Sequence, residues 1–339
     1  MTDFRIFRMT MAVALIATAV GFTACKKPIV VDTVSLDKTE LMMFKNDTIT
    51  LTVTILPDNA EDKSVKWSSS NATVAAVDQN GVVVALAGGT AVIMVTTNDG
   101  NKSASCNITV PIDSGTLAGS PIKWILLNEK TMILRGEGAM KDYTNLDQSK
   151  PWDNPNSKIK DIIVEEGVTA IGKYAFYRAM IETITVPTTV TSIGQGAFTE
   201  ASELKQITFA SDVGLQDIND YVFQSCWSLK TLKLPSTLRA LRTAAFQYSG
   251  LETIEIPLQV TTIQQAAFGG CDSLKELTVN WANPVTCAMQ NSTDIGNGVF
   301  KSISTAKLAT IKLNVPAGSK TNYEAHDVWK YFNIVEKPN

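Results

Sequence analysis

A six-residue motif ending in phenylalanine recurs through the second half of this chain, and no other feature constrains the fold as tightly. It reads Ile171-Gly-Lys-Tyr-Ala-Phe176, Ile193-Gly-Gln-Gly-Ala-Phe198, Ile218-Asn-Asp-Tyr-Val-Phe223, Leu241-Arg-Thr-Ala-Ala-Phe246 and Ile263-Gln-Gln-Ala-Ala-Phe268. The phenylalanines lie 22, 25, 23 and 22 residues apart, and a sixth copy ending in Phe300 follows after 32. Between the copies runs a second motif, apolar at its first, fourth and sixth positions. It occupies Ile181 to Val186, Leu204 to Phe209, Leu229 to Leu234, Leu251 to Ile256 and Leu274 to Val279, with Ile159 to Val164 before the series and Leu308 to Leu313 after it. One such unit cannot bury its own apolar side, but a stack of them can. Stacking aligns the strands in parallel along one face and turns the phenylalanines into an interior column. Pro187, Pro235 and Pro257 directly follow their strands, where a missing N–H does least harm.

A period of roughly 20–29 residues carrying L-x-x-L-x-L is the signature of leucine-rich repeats. The I-G-x-x-A-F and L-x-x-I-x-I-P blocks resemble, more narrowly, the BspA-like repeats of bacterial surface proteins. The flanks are similar too. Trp124 to Tyr143, followed by Pro151-Trp152, looks like that family's N-terminal cap, and Leu313 to Glu336 like its C-terminal cap. Caps are needed because an end repeat would otherwise expose its core. These readings place an N-terminal cap at 122–157, repeats at 158–313 and a C-terminal cap at 314–339. The resemblance implies adhesion to host matrix proteins or to other bacteria.

The segment before the repeats is β in character. Thr48 to Ile55 alternates polar and apolar residues, the period of a half-buried strand. Asn80-Gly81 is a strong hairpin signal, and Gly88-Gly89 turns the chain again. Several short strands at this spacing suggest a β-sandwich. Val34 to Met43, Leu51 to Thr97 with its W-x-S-x-N order, and Cys106 to Val110 resemble a bacterial immunoglobulin-like domain of group 2. That domain is expected over 34–110, with Trp67 in its core and a linker at 111–121. The whole chain therefore reads as mainly β with short helices and turns: an immunoglobulin-like β-sandwich followed by a leucine-rich-repeat solenoid.

The N-terminus differs from all of this. Arg5 and Arg8 precede a short apolar run, Met11 to Val20. The run falls short of the ~20 residues that cross a bilayer and reads as a secretory signal peptide at 1–24. The small residues leading into Cys25 resemble the lipobox of bacterial lipoproteins, although Phe22 stands where leucine is usual. That resemblance implies lipidation of Cys25, a lipid-anchor linker at 25–33 and attachment to the outer membrane, with the cell surface as the expected side and the periplasmic side as the alternative, since Lys26-Lys27 follow the cysteine where exported surface lipoproteins often carry acidic residues. Of the other cysteines, Cys226 and Cys271 fall in a column of small residues with Ala179, Ala201 and Ser249. Two repeats separate them, about 9–10 Å at a strand spacing of ~4.8 Å. That exceeds the ~7 Å limit between Cα atoms for a disulfide, so both are expected free and buried.

Chemistry is sparse. His326 is the only histidine, which removes most catalytic triads and multi-histidine metal sites. Glu165 and Glu166 are adjacent in a turn and cannot flank a glycosidic bond from two sides. No phosphate loop, zinc-protease or calcium-loop motif occurs, and neither cofactor nor metal is expected. A net charge of −3 argues against nucleic-acid binding. What remains is a surface. The outward strand positions are Thr-rich and mixed in charge. Among them Thr231, Lys233, Thr253 and Glu255 are ligand candidates, together with the loop aromatics Trp227, Tyr248 and Trp281. The expected function is a non-catalytic, monomeric lipoprotein presenting this surface for adhesion or protein binding, with a host or bacterial surface protein as partner. The alternative is an accessory glycan-binding lipoprotein of a polysaccharide-uptake system.

Overall fold

The structure is a computed structural model that describes residues 27–147, 149–153, 156–211, 213–284, 288–289 and 298–338. The expected signal peptide, Cys25, Cys287 and the first residues of the sixth motif lie outside that set.

The N-terminal β-sandwich is built from three small sheets. Glu40–Met42, Ser103–Val110, Gly89–Thr97 and Val65–Ser69 form a four-stranded sheet in that order. Thr48–Thr50, Val82–Ala85 and Ala75–Val77 form a three-stranded one, and Thr33–Leu36 pairs with Val53–Leu56. Strict alternation along Gly89–Thr97 sends Ala91, Ile93 and Val95 inward. There they meet Trp67, Val83, Cys106 and Ile108. Trp67 lies across Gly81, where a Cβ would sit 2.7 Å from the indole ring. The positive φ of +79° there is a second reason for glycine.

The linker expected at 111–121 is not one. Asp113–Thr116 pairs antiparallel with Lys123–Leu126 and opens the solenoid's first sheet. The cause is apolar content. Leu117 and Ile122 are buried in the solenoid core, which draws their segment into the cap. Only Pro111 and Ile112 separate the last sandwich strand from the first cap strand.

Each repeat contributes three stacked lines to the solenoid. The first is the strand face. Asp161–Val164, Thr183–Val186 and Gln206–Phe209 pair in parallel and in register behind the cap hairpin. Thr231–Leu232, Thr253–Ile256, Glu276–Val279, Lys312–Val315 and Asn333–Glu336 do the same further on. Alternate residues such as Ile184, Ile254 and Leu277 are buried, and those between them face outward. The second line is a ladder of short strands at the start of each phenylalanine motif, such as Val168–Ile171 with Ser192–Ile193. The third is the turn that carries the phenylalanine.

The phenylalanine column is continuous. Phe176, Phe198, Phe223, Phe246, Phe268 and Phe300 stack with ring centroids 5.2, 5.5, 5.5, 5.4 and 5.8 Å apart. Trp152 closes one end at 4.8 Å from Phe176, its indole N–H donating to the Ala175 carbonyl. Trp329 and Phe332 close the other end edge-on against Phe300. Each pair of rings adds about 0.5–1.5 kcal/mol beyond area burial. The small-residue column runs beside it. Cys226 and Cys271 are free and buried, and their thiols donate to the carbonyls of Phe198 at 3.1 Å and Phe246 at 3.0 Å.

Both strand ladders stop at one junction. Gln206–Phe209 is the last strand of the first sheet and Thr231–Leu232 the first of the next. Likewise Ser192–Ile193 does not pair with Asp217–Ile218. This is the repeat with the 25-residue spacing. Between its last face residue, Phe209, and Ile218 it has two more residues than its neighbours, and Ala210 replaces the usual proline.

Candidate functional site

Beyond that junction the strand face hollows into a trough of about 850 Å³. Its outer walls come from the positions that alternation turns outward: Thr231 and Lys233, Thr253 and Glu255, Glu276 and Thr278. Its floor is the buried Leu232, Leu234 and Ile254. Pro257 and Leu258 raise one rim. Because Thr231 pairs with Thr253 and Glu255 with Thr278, the side chains stand in rows across the strands. A second depression of about 590 Å³ lies on the other side of Lys233, above the junction itself. Lys205, Gln206 and Thr208 line its far wall. Lys233 borders both hollows.

The electrostatics of the trough are uneven. Glu276 is neutralised by Lys312 at 3.5 Å and accepts from the Asn314 amide. Among the described residues Glu255 accepts a hydrogen bond only from the neutral amide of Asn280, at 2.9 Å. Lys233 makes no hydrogen bond or ion pair among the described residues, although Glu255 stands beside it on the next strand. At the edge where the strands begin, Lys275 pairs with Glu252 at 2.5 Å, and that hydrogen bond holds the Glu252 carboxyl below its ordinary range.

Four of the seven candidate side chains, Thr231, Lys233, Thr253 and Glu255, thus meet in one place. The other three do not line it. Trp281 is only 3% exposed, contrary to its expected place on the surface. Trp281 itself turns inward because its indole finds a core to fill. The ring N–H donates to the Leu258 carbonyl at 3.2 Å, and the Tyr323 hydroxyl donates to the Trp281 carbonyl at 2.7 Å. Trp281 therefore fixes the rim of the trough from behind. Trp227 and Tyr248 are 59% and 45% exposed in the turns that lead into the strands. The Tyr248 ring covers Gly270 of the following repeat, where a Cβ would lie 2.3 Å from it. Sequence reasoning passed over Asn280 and Leu258. Leu258 had a signal. The residue after the proline is Thr188 and Ser236 in other repeats, and only here is it apolar and 58% exposed.

The remaining chemistry is structural. Glu165 pairs with Arg135, and Glu166 accepts from Thr188 and Thr189. His326 accepts the Val328 N–H at its Nδ1 inside the C-terminal cap. Among the described residues no group of three or more His, Cys, Asp or Glu is placed to hold a metal ion.

Comparison with known proteins bears on both halves. The family profile described as "BspA type Leucine rich repeat region" matches residues 155–251 and 213–317, in six copies. The solenoid is a BspA-type leucine-rich repeat region. The profile "Bacterial Ig-like domain (group 2)" matches residues 30–108, so a group 2 Ig-like domain precedes the BspA-type repeats. An uncharacterised protein of Clostridium acetobutylicum is 47% identical over 78 residues, which is 23% of this chain and 8% of that protein. An alpha-L-arabinofuranosidase of Bifidobacterium longum is 37% identical over 84 residues, 24% of this chain and 8% of the enzyme. The chain thus spans under a tenth of the length of either relative. A leucine-rich repeat protein from Eubacterium ventriosum, of known structure, is 29% identical with a TM-score of 0.45, over 52% of this chain and 46% of that one. BspA-type repeats and Ig-like domains are typically non-catalytic modules, and the repeats support a protein-interaction role. No helix among the described residues is long and apolar enough to cross a membrane.

Proposed function

We propose that this chain is a non-catalytic lipoprotein of the bacterial cell envelope, anchored through Cys25, whose BspA-type repeats bind a protein on a host or bacterial surface. The observation that carries this reading is the trough on the strand face. It is the place where the repeat register gathers polar side chains, an unpaired cation and an exposed apolar rim. The group 2 Ig-like domain then acts as the stalk that holds the solenoid away from the outer membrane. Solenoids bind partners over extended faces of this kind, and protein interfaces ordinarily combine apolar contact area with polar, hydrogen-bonding groups.

The test is binding of the soluble chain from Lys27 onward to protein and glycan arrays in parallel. The reading expects saturable binding to a protein, lost when Thr253 and Glu255 are both replaced by bulky arginine. Binding confined to glycans retires it in favour of a carbohydrate-uptake role. Protease shaving of intact cells tests the location. A solenoid that survives while other surface proteins are cut would place it on the periplasmic side and remove adhesion.

A further inference from the structure

The charges of the trough are more specific than a general interface requires. Lys233 and Glu255 directly follow the paired residues Leu232 and Ile254 on neighbouring strands, whose nominal spacing is ~4.8 Å. Opposite charges so placed ordinarily pair. Here no ion pair joins them, and both line the same hollow. Of the neighbouring charges, Lys205 pairs with Glu182, Lys275 with Glu252 and Lys312 with Glu276, while Lys337 donates to the Asn280 amide oxygen at 2.6 Å. Regular pairing ends at Leu232, and Lys233 borders both hollows.

We infer that the trough binds an extended polypeptide segment carrying an acidic and a basic side chain two residues apart, the acidic one on Lys233 and the basic one on Glu255. This inference rests on the protein-binding reading above and names the chemistry of the ligand. A polyanion, such as a sulfated glycan, would meet the Glu255 carboxylate. A polycation would meet Lys233. A polypeptide carries both signs along one strand. Two residues of extended chain advance about 6.6 Å and return to the same face, a reach that matches two head groups rooted on adjacent strands. The hydroxyls of Thr231, Thr253 and Thr278 stand along the same walls and can serve a peptide backbone as donors or acceptors. Leu258 and Pro257 offer an apolar shelf for a third side chain. Among the described residues no aromatic ring lines the trough, so they offer no stacking platform of the kind a neutral sugar would use.

A display library of random linear dodecapeptides, selected on the chain from Lys27 onward, tests this directly. Three proteins are compared: the native sequence, Lys233→Glu and Glu255→Lys. Both side chains are exposed, so circular dichroism should be unchanged in the variants. The native chain should enrich peptides with an acidic and a basic residue at i and i+2. Lys233→Glu should weaken those peptides about tenfold or more, the loss expected for a charge pair across an interface, and should select dibasic peptides instead. Glu255→Lys should select diacidic ones. Failure of the native chain to enrich any peptide overturns the inference, as does enrichment of the same sequences on all three proteins. The protein array separates the two readings. A protein that binds equally well to native chain and Lys233→Glu leaves the adhesive role standing and removes this site. An array with no protein ligand removes the adhesive role, while the peptide selection still decides the trough.

Discussion

The junction between Gln206–Phe209 and Thr231–Leu232 sets two sides of one molecule against each other. On the strand side the backbone ladders stop. On the turn side nothing stops. The Phe198 and Phe223 rings are 5.5 Å apart, as close as the next pair. The turn amides still donate across the gap, Gly196 to Asp220 at 2.9 Å and Phe198 to Val222 at 3.0 Å. Side chains add to this bridge. The Asn219 amide donates to the Ile193 carbonyl at 2.7 Å, Thr199 to the Tyr221 carbonyl at 2.6 Å and Cys226 to the Phe198 carbonyl at 3.1 Å. Elsewhere the carbonyl equivalent to that of Ile193 receives a backbone N–H: Gly194 to Ile171, Arg242 to Ile218, Gln264 to Leu241. Asn219 is thus a side-chain substitute for a ladder bond that the longer repeat cannot make. Apolar stacking tolerates a local widening of the strands because it is non-directional, whereas a ladder needs each N–H opposite its carbonyl.

This contrast can be broken most severely from the column. Phe223→Ala empties the center of the stack beside the junction and should cost about 3–5 kcal/mol, read as a lower urea midpoint for the solenoid. Hydrogen exchange should then accelerate in the repeats on both sides of residue 223, not in one alone. A loss below about 1 kcal/mol would mean the strand side carries the junction after all.

The buried thiol of Cys271 gives a pH-dependent probe of the same side. Burial raises its pKa to about 11, partly offset by its contact with Ser249. An unfolded thiol titrates near about 8.5. The folded state therefore favors the protonated form. The stabilisation is complete below about pH 8.5 and disappears as pH climbs through about 11, at up to about 1.4 kcal/mol per pH unit for this group. Cys271→Ser should flatten that slope relative to the native chain in urea titrations at pH 8, 9 and 10. Equal slopes would show the thiol to be solvated.

From the strand side the effects shrink. Asn219→Ala removes the substitute bond and should cost about 1 kcal/mol. Its exchange signature should be confined to residues near 193 and 219. Smallest of all, Lys233→Glu should stay within about 0.5 kcal/mol of the native stability, since the ammonium is exposed and unpaired. A larger change in the urea midpoint would give Lys233 a structural task and undercut its assignment to a ligand.

What was legible in the sequence follows from the same physics. The phenylalanine column, the buried small residues, the free thiols and the inward–outward alternation are properties of a stack in which each repeat repeats its neighbour's environment. A period in sequence translates directly into a position in space. The gathering of Thr231, Lys233, Thr253 and Glu255 was legible for that reason. Departures from the period were not. The length of the repeat from Phe198 to Phe223 could be counted, but its effect on the ladders depends on how the extra residues around Ala210 to Leu215 fold. Trp281 lies in an insertion with no periodic frame, so its sequence did not reveal that Tyr323 and the Leu258 carbonyl would receive it. Residues 111–121 lacked an alternating pattern and read as a linker, although Leu117 and Ile122 were the apolar residues that decided otherwise.

The interrupted ladders also set how the molecule would answer a mechanical load. Pulled apart along the stacking axis, most repeat junctions must rupture two ladders together with a ring contact and the turn amides. Among the described residues, the junction at 209–231 has its ring contact, its turn amides and a few side-chain bonds to lose. Tension would part it first and leave two shorter stacks. Each would keep one sealed end, Trp152 on the first and Trp329 on the second. The solenoid is in this sense built with a designated yield point, and the trough that begins at Thr231 stands immediately beside it.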